Sequence, residues 1–236
     1  MYKLYLEDDN EKDVPKRFKS DTCSTCDANS NTEEHESQYK FAFEQQKREK
    51  NHARVTENVC YVTMDLQQKQ PLSKITTSKA FYLCQLWFYN LSIHSATKSR
   101  EKPYFFTWTE DIAGKDSFEA GSSLHTFVQF LDSCSGQNKN FNMIALYQYL
   151  VLKGMFRVID HKFREVGHSF LDSDRDFGMI EKNLRKRENI LVPDQYREII
   201  KSSSVKSAVV INMENASKIW SKLYHHFTWL TRKKTF

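Results

Sequence analysis

The spacing of hydrophobic and polar residues changes at residue 58 of this chain. Residues 1–57 are rich in Asp, Glu, Lys, Ser and Asn, and aliphatic side chains are scarce within 20–57. A polar helix over 44–54 is compatible with this composition, but it would have no apolar stripe to bury. From residue 58 onward, apolar residues recur with the spacing of strands and helices. We therefore predict a polar N-terminal arm, 1–57, which we interpret as loosely held, and one folded domain, 58–236.

The first half of the domain shows strand patterns. Over 59–66, apolar residues at alternate positions predict a strand with one apolar face, and Asp65 belongs to the opposite face. Runs of aromatic and β-branched residues predict two more strands, at 83–94 and 104–109. The polar segment 95–102 between them predicts a hairpin turn.

The second half shows mostly helical spacing. Apolar residues recur at helical intervals after residue 140 and stop at Gly154. Ser173 is predicted to cap a second helix, with Asp176 completing a capping box, and Pro193 is predicted to start a third. The other predicted elements are strands at 155–160 and 208–213 and a helix at 216–227. Strands and helices in this order predict an α/β fold with a mixed sheet.

Composition narrows the class of protein without fixing it. A hydrophobic content of 39% in 236 residues is typical of a globular chain, and a formal charge of +5 permits a nucleic-acid partner without requiring one. Five irregularly spaced cysteines favour a reducing, intracellular compartment over a disulfide framework. The N-terminus lacks the pattern of a signal peptide, and polar residues interrupt each apolar run before the roughly 20 residues of a membrane span.

Three aspartates stand where predicted strands end or helices begin. Asp65 lies within a strand, Asp132 follows an apolar run, and Asp174 lies in the first turn of a helix, six residues after His168. Carboxylates contributed by several elements can hold two divalent cations for phosphodiester cleavage or strand transfer. Each acid also has an ordinary structural interpretation. Asp174 could be a helix cap and Asp132 a turn residue, whereas a carboxylate within a buried strand is harder to explain without a partner.

Four blocks of sequence resemble one known family. The two specific blocks are Asp-Ser-Cys-Ser-Gly-Gln-Asn-Lys-Asn at 132–140 and Gly-His-Ser-Phe-Leu at 167–171, supported by 62–67 and 85–94. They resemble the RNase H-like domain of uncharacterised, transposable-element-derived proteins that are abundant in insects. This resemblance runs from about residue 21 to residue 230.

The resemblance implies a fold, a chemistry and a set of residues. The family is similar to DDE-type transposases, which implies a mixed sheet flanked by helices and catalysis with Mg²⁺ or Mn²⁺. Carried over by position, Asp65, Asp132 and Asp174 would be the catalytic, metal-binding acids, with His168 beside them. Glu119 occupies the place of a fourth acid found in some such enzymes.

The chain departs from the family pattern ahead of Asp132. Family members have a helix, a connection and a strand before this acid, whereas only 117–131 is available here. Either 126–131 forms the fourth strand after a short helix, or the strand is lost and Asp132 is displaced. Asp116 and Asp172 also stand where the family tends to carry Gly and Pro.

Two further groups of residues are candidate ligands. Cys23 and Cys26 have the spacing of half a zinc site, and the resemblance favours His52 as a later ligand; otherwise both cysteines are solvent-exposed residues of the arm. A basic run extends the helix of Asp174 and could position a nucleic-acid backbone, although such runs are usually solvated faces. It consists of Lys182, Arg185, Lys186 and Arg187.

These observations lead to one main hypothesis and two alternatives. The main hypothesis is a transposon-derived, metal-dependent nuclease or strand-transfer domain that acts on nucleic acid, DNA in the first instance. The nucleus is favoured over the cytoplasm as its location. The first alternative is a co-opted nucleic-acid-binding module that has lost catalysis. The second is a protein-interaction module without nucleic-acid affinity.

Overall fold

A mixed five-stranded sheet organises the computed structural model, which describes residues 33–75, 86–130, 141–162, 171–203, 208–216 and 218–225. The strands are β1 (Tyr61–Leu66), β2 (Gln70–Leu72), β3 (Leu86–Ala96), β4 (Glu101–Thr109) and β5 (Val209–Asn212). The order is β1-β3-β4-β5, with β2 also paired to β3. All pairs are antiparallel except β4 with β5. The predicted α/β class and mixed sheet are confirmed.

In the described part of the chain, six helices cover the sheet. They are α1 (Glu33–Val55), α2 (Ser117–Phe130), α3 (Phe141–Leu152), α4 (Asp172–Leu184), α5 (Pro193–Ser203) and α6 (219–225). Gly154 has a φ of 71° and follows the end of α3, and Pro193 opens α5, as the sequence predicted.

Two separate hydrophobic cores lie on the two faces of the sheet. On the first face, Leu91 and Phe106 pack with α2, α3 and α6. On the second, Phe88 and Phe105 pack with apolar residues of α4 and α5. This division follows from strand alternation, because neighbouring residues of β3 and β4 point to opposite faces.

The second face of the sheet is polar over part of its area. Thr63, Asn90, Ser92, His94 and Thr107 are all nearly inaccessible to solvent, and all lie on the face covered by α4 and α5. Buried polar groups require hydrogen-bond partners. The packing of α4 and α5 on the polar part of this face therefore requires more specific contacts than their packing on its apolar part.

The structure excludes one alternative that the sequence left open and shows that one predicted strand is wrong. Residues 126–130 belong to α2, because Leu124, Phe127 and Val128 are buried at helical spacing, so the alternative of a fourth strand there is excluded. Residues 155–160 form no strand, since Phe156 is buried while Val158 is 72% exposed and no common apolar face exists.

The strand that carries Asp65, β1, lies at the end of the strand order. Within the described part of the chain, no strand pairs with its outer edge. Asp65 is therefore carried by an edge strand.

The start of α4 differs from the predicted cap. The helix begins at Asp172, and the Leu171 N–H donates to Asp174 Oδ2 at 2.7 Å, whereas Ser173 is buried in the first turn. Ser173 lies inside the helix, one position after its first residue, so it is not the cap; its hydroxyl lies 3.2 Å from that of Thr63 of β1.

The last turns of α1 are docked on the domain. Ala53 is fully buried, and Lys50 and Arg54 form ion pairs with residues of α4 and β4. The interpretation of a loosely held arm therefore does not apply to this end of α1, which is fixed by charged residues and not by an apolar stripe.

Trp220 of α6 makes a packing prediction for Gly121 of α2. The Trp220 side chain is fully buried, and a Cβ at Gly121 would lie 3.0 Å from its Cγ and closer to Cδ1. Gly121→Ala should lower the free energy of unfolding by about 1–3 kcal/mol through overpacking. Urea denaturation measures the change. Gly178→Ala, where nothing lies near the new Cβ, is the control and should not destabilise; equal losses in both variants would contradict the explanation.

Candidate functional site

The first two turns of α4 are fixed over the polar part of the sheet. Thr63 Oγ1 and Ser173 Oγ lie 3.2 Å apart, and both residues are fully buried. His94 Nδ1 and Asp176 Oδ2 lie 2.6 Å apart, also away from solvent. Because Thr63 and His94 are register partners, these two contacts anchor one helix on adjacent strands.

Asp65 and Asp174 belong to the two elements that meet at this contact. Asp65 lies two residues after Thr63 on the same face of β1, and its Oδ1 accepts from the Leu66 N–H at 2.8 Å. Asp174 follows Ser173 in the first turn of α4. Both carboxylates are partly exposed. β1 and α4 thus carry the two acids on adjoining surfaces.

Buried polar atoms without protein partners lie beside Asp65. Ser92 is its register partner on β3, and Ser92 Oγ, Asn90 Oδ1 and Gln67 Nε2 have no hydrogen-bond partner among the described residues. Within this group, Asn90 Nδ2 donates to Gln67 Oε1 at 2.8 Å and the Gln67 N–H donates to the Asn90 carbonyl oxygen at 2.9 Å. Each unpaired buried group costs about 1–3 kcal/mol relative to a satisfied one.

A separate group of metal-ligating side chains lies at the other flank of α4. His94, Glu101 and Asp172 place one ligand atom each within 4.8 Å of the other two. His94 is 1% exposed, and the carboxylates of Glu101 and Asp172 are 13% and 12% exposed. We call these three residues the His94 cluster. An imidazole with two carboxylates is a donor set that suits divalent metals.

Cations from α1 and α4 neutralise the carboxylates around the His94 cluster. Lys50 Nζ lies 2.7 Å from Asp172 Oδ1 and 3.2 Å from Glu101 Oε1. Arg54 donates from Nη2 and Nε to Glu101 Oε2 at 2.6 and 3.2 Å. Arg175 Nη2 lies 3.4 Å from Asp172 Oδ1. Three basic side chains thus match the charge of three carboxylates, those of Glu101, Asp172 and Asp176.

Sequence reasoning missed the His94 cluster. A hairpin turn separates His94 from Glu101, and Asp172 follows Glu101 by 71 positions, so no local spacing joins them. Two signals were present. His94 follows Asn90 and Ser92 at alternate positions of one strand, which marks a polar face. Asp172 and Asp176 stand four residues apart, which places them on one side of a helix.

Four of the predicted site residues lie outside the described part of the chain: Asp132, His168, Cys23 and Cys26. His52 is exposed on α1, where it lines a cleft of about 1110 Å³ together with Cys60 and Arg157. Cys60 is disulfide-bonded.

The predicted basic run lies at the far end of α4. Lys182, Arg185, Lys186 and Arg187 are all exposed. Lys74 Nζ donates to the Leu184 and Arg187 carbonyl oxygens at 2.9 Å each. A lysine from outside the helix thus satisfies carbonyl groups at this end, and the side chains of the basic run extend toward solvent.

Glu119 lies on the opposite layer from Asp65. It belongs to the first turn of α2, which packs on the first face of the sheet. Burial together with a hydrogen bond to Asp116 raises the pKa of Glu119 to about 7, and the same hydrogen bond lowers the pKa of Asp116. The described contacts pair Glu119 with Asp116, and they give no support to its proposed role as a partner of Asp65.

One family model matches this chain. The model described as "Domain of unknown function (DUF7869)" matches residues 119–236, half of the chain. The chain therefore belongs to this family. None of the curated proteins matches it.

Two solved structures show a weak similarity. The "Crystal structure of NurA" has a TM-score of 0.20 and 10% identity, and the match covers 82% of this chain and 46% of that chain. The "Crystal structure of NurA with manganese" has a TM-score of 0.19, 10% identity and coverages of 76% and 42%. The chain thus spans less than half the length of the structures it matches. Scores this low carry no argument about fold or function. Within the described residues, no helix is long and apolar enough to cross a membrane.

The raised pKa of Glu119 predicts a loss of stability as the pH increases. Folding favours the protonated acid, so its contribution is complete below the ordinary pKa of 4.5 and decreases toward pH 7. Between pH 4.5 and about pH 7, the free energy of unfolding of the wild type should decrease by about 1–3 kcal/mol more than that of Glu119→Gln. One pKa unit corresponds to about 1.36 kcal/mol. Urea denaturation at several pH values measures the difference. Glu198→Gln, at an exposed position, should behave as the wild type; parallel curves for Glu119→Gln would contradict the prediction.

Proposed function

We propose that the chain is a metal-dependent domain for phosphodiester cleavage or strand transfer on nucleic acid, DNA in the first instance, of the transposon-derived, RNase H-like kind. Asp65 and Asp174 are the proposed metal ligands among the described residues, and Asp132 and His168 complete the proposed site. The observation that supports this most directly is the Thr63–Ser173 contact, because it joins the strand of Asp65 to the helix turn of Asp174.

Helix geometry supports the assignment of the two acids to one side of α4. Ser173, Phe177 and Ile180 form the buried side of the helix. At about 100° per residue, Asp174 lies on one flank of that side, and Asp172 and Asp176 lie on the other. Asp172 and Asp176 face Glu101 and His94, near the β3–β4 turn. The flank of Asp174 therefore faces the opposite direction along β1, toward Asp65.

The donor chemistry suits a hard divalent cation such as Mg²⁺ or Mn²⁺. Asp65 and Asp174 offer carboxylate oxygens, and both are partly exposed, so a phosphate group can approach them. A bound cation there would neutralise charge on phosphate oxygens and lower the pKa of a water molecule. The protein's own contribution is to fix β1 against α4 and to hold the two carboxylates at a boundary between buried and solvated surface.

A metal-dependent gain in stability tests the proposal. Mn²⁺ should raise the melting temperature of the wild type, by about 2–4 °C for each kcal/mol of binding free energy. Asp65→Asn should abolish the rise because it removes a charged ligand, and cleavage of a labelled DNA duplex should disappear with it. Differential scanning fluorimetry provides the first measurement.

Asp111→Asn is the matched control, since Asp111 is exposed in the turn after β4. It should retain the full response to Mn²⁺. A wild type that does not respond, or an Asp65→Asn variant that responds as the wild type does, would rule out a metal site at Asp65.

The exposed basic run favours a second candidate function, which is nucleic-acid binding without catalysis. Its four side chains extend from one end of α4, and a lysine of another segment satisfies the helix carbonyl groups beside them. Cations arranged in this way can contact successive phosphates without any requirement for a metal.

The salt dependence of binding tests this second candidate. Arg185→Gln combined with Lys186→Gln should flatten the dependence of log affinity for duplex DNA on log salt by about 0.9 for each phosphate that is no longer neutralised. Fluorescence anisotropy measures the slope. Lys115→Gln with Lys153→Gln removes the same charge from exposed positions beside α2 and α3, and this pair should leave the slope unchanged. Equal slopes in all three proteins would exclude the basic run as the binding surface.

A further inference from the structure

We propose that the His94 cluster is a second divalent-metal site, distinct from Asp65, whose cation position is taken by Lys50 in this structure. Docking of α1 and binding of a metal at this cluster would then exclude each other. The inference does not depend on the proposed function, because it uses no ligand assigned to the Asp65 site.

The first argument is the position of the Lys50 ammonium group. Its Nζ lies between two of the three ligand atoms of the cluster, 2.7 Å from Asp172 Oδ1 and 3.2 Å from Glu101 Oε1. A positive charge from a third element is thus already held where the two carboxylates converge. The Lys50 side chain is 12% exposed, so it is largely withdrawn from water at this point.

The second argument is the arrangement around His94. Asp176 Oδ2 lies 2.6 Å from Nδ1, and Glu101 Oε1 lies 3.2 Å from Nε2. The contact of Asp176 with Nδ1 orients the ring so that Nε2 points at the Glu101 carboxylate, whose Oε1 also lies 3.2 Å from Lys50 Nζ. Donation of the second ring N–H to a carboxylate is the usual arrangement of a metal-bound histidine.

The donor set selects the class of metal. One imidazole nitrogen and two carboxylate oxygens suit Zn²⁺, Co²⁺ or Mn²⁺ better than Mg²⁺, which prefers oxygen ligands and retains several waters. The three ligands come from β3, β4 and α4, which are packed together without α1. Lys50 and Arg54 of α1 contribute only counter-charges, so release of α1 leaves the ligands in place.

Removal of the Lys50 ammonium group tests the inference. Lys50→Met should bind one additional Zn²⁺ per chain, with an affinity at least about tenfold above any such binding in the wild type, a factor within the usual range of coupled equilibria. Isothermal titration with ZnCl₂ counts the sites. Lys47→Met makes the same change at an exposed position three residues earlier on α1 and should titrate as the wild type does.

Asp172→Asn in the Lys50→Met background identifies the ligands. This variant should lose the additional site while any zinc bound elsewhere in the chain remains. Additional binding that survives Asp172→Asn, or a Lys50→Met protein that binds no more zinc than Lys47→Met, would overturn the proposal.

Hydrogen exchange in the wild type is a second test that does not require Lys50→Met to fold. Saturating Zn²⁺ must displace Lys50, so exchange of the amide groups of 47–55 should accelerate, and Asp172→Asn should remove the zinc-induced acceleration. Exchange in this segment that zinc does not change would equally overturn the proposal. The Asp65→Asn response to Mn²⁺ is a separate measurement, so failure of either proposal leaves the other open.

Discussion

The structure depends on a buried imidazole–carboxylate contact between the sheet and the helix above it. His94 and Asp176 are both at most 3% exposed, and the atoms that meet are 2.6 Å apart. Removing either partner would leave a polar or charged group without compensation in a medium of low dielectric, which is among the most destabilising single changes in a protein interior. The contact therefore fixes the position of α4 more strictly than the apolar packing of Phe177 and Ile180 does, because apolar side chains tolerate small shifts.

Much of the surrounding chemistry follows from that fixed position. With α4 held over β1 and β3, Ser173 meets Thr63, Asp172 faces Glu101, and Lys50 of α1 is drawn between the carboxylates. The same placement leaves Ser92 and Asn90 beneath the helices with polar atoms that have no partner in the described part of the chain. Polar residues inside a fold lower its stability unless they are satisfied, and they persist where they serve specificity or a function. The polar half of the second face is where such a function is best sought.

Local patterns predicted the fold well where one element has one clear period. Alternation over 59–66 assigned Asp65 to the face of Thr63 and away from Val62 and Met64, and the cap signals at Gly154 and Pro193 marked real helix ends. The sequence left the alternatives open where the period was ambiguous, as at 126–131, whose apolar residues suit a strand as well as a helix. The His94 cluster could not be predicted, because its geometry arises from tertiary packing of segments that are distant in sequence.

The parallel pairing of β4 with β5 has a consequence for where this family's folding unit begins. Tyr104–Thr107 of β4 pair with 209–212, so roughly a hundred residues must be arranged before that ladder closes. The part matched by the family model starts at Glu119 and so contains β5 without the β3–β4 hairpin on which β5 and five of the helices pack. A chain cut at that boundary would carry apolar helix faces with no sheet to cover. In this chain the unit that packs together is therefore larger than the region matched by the family model, because it includes the upstream β3–β4 hairpin.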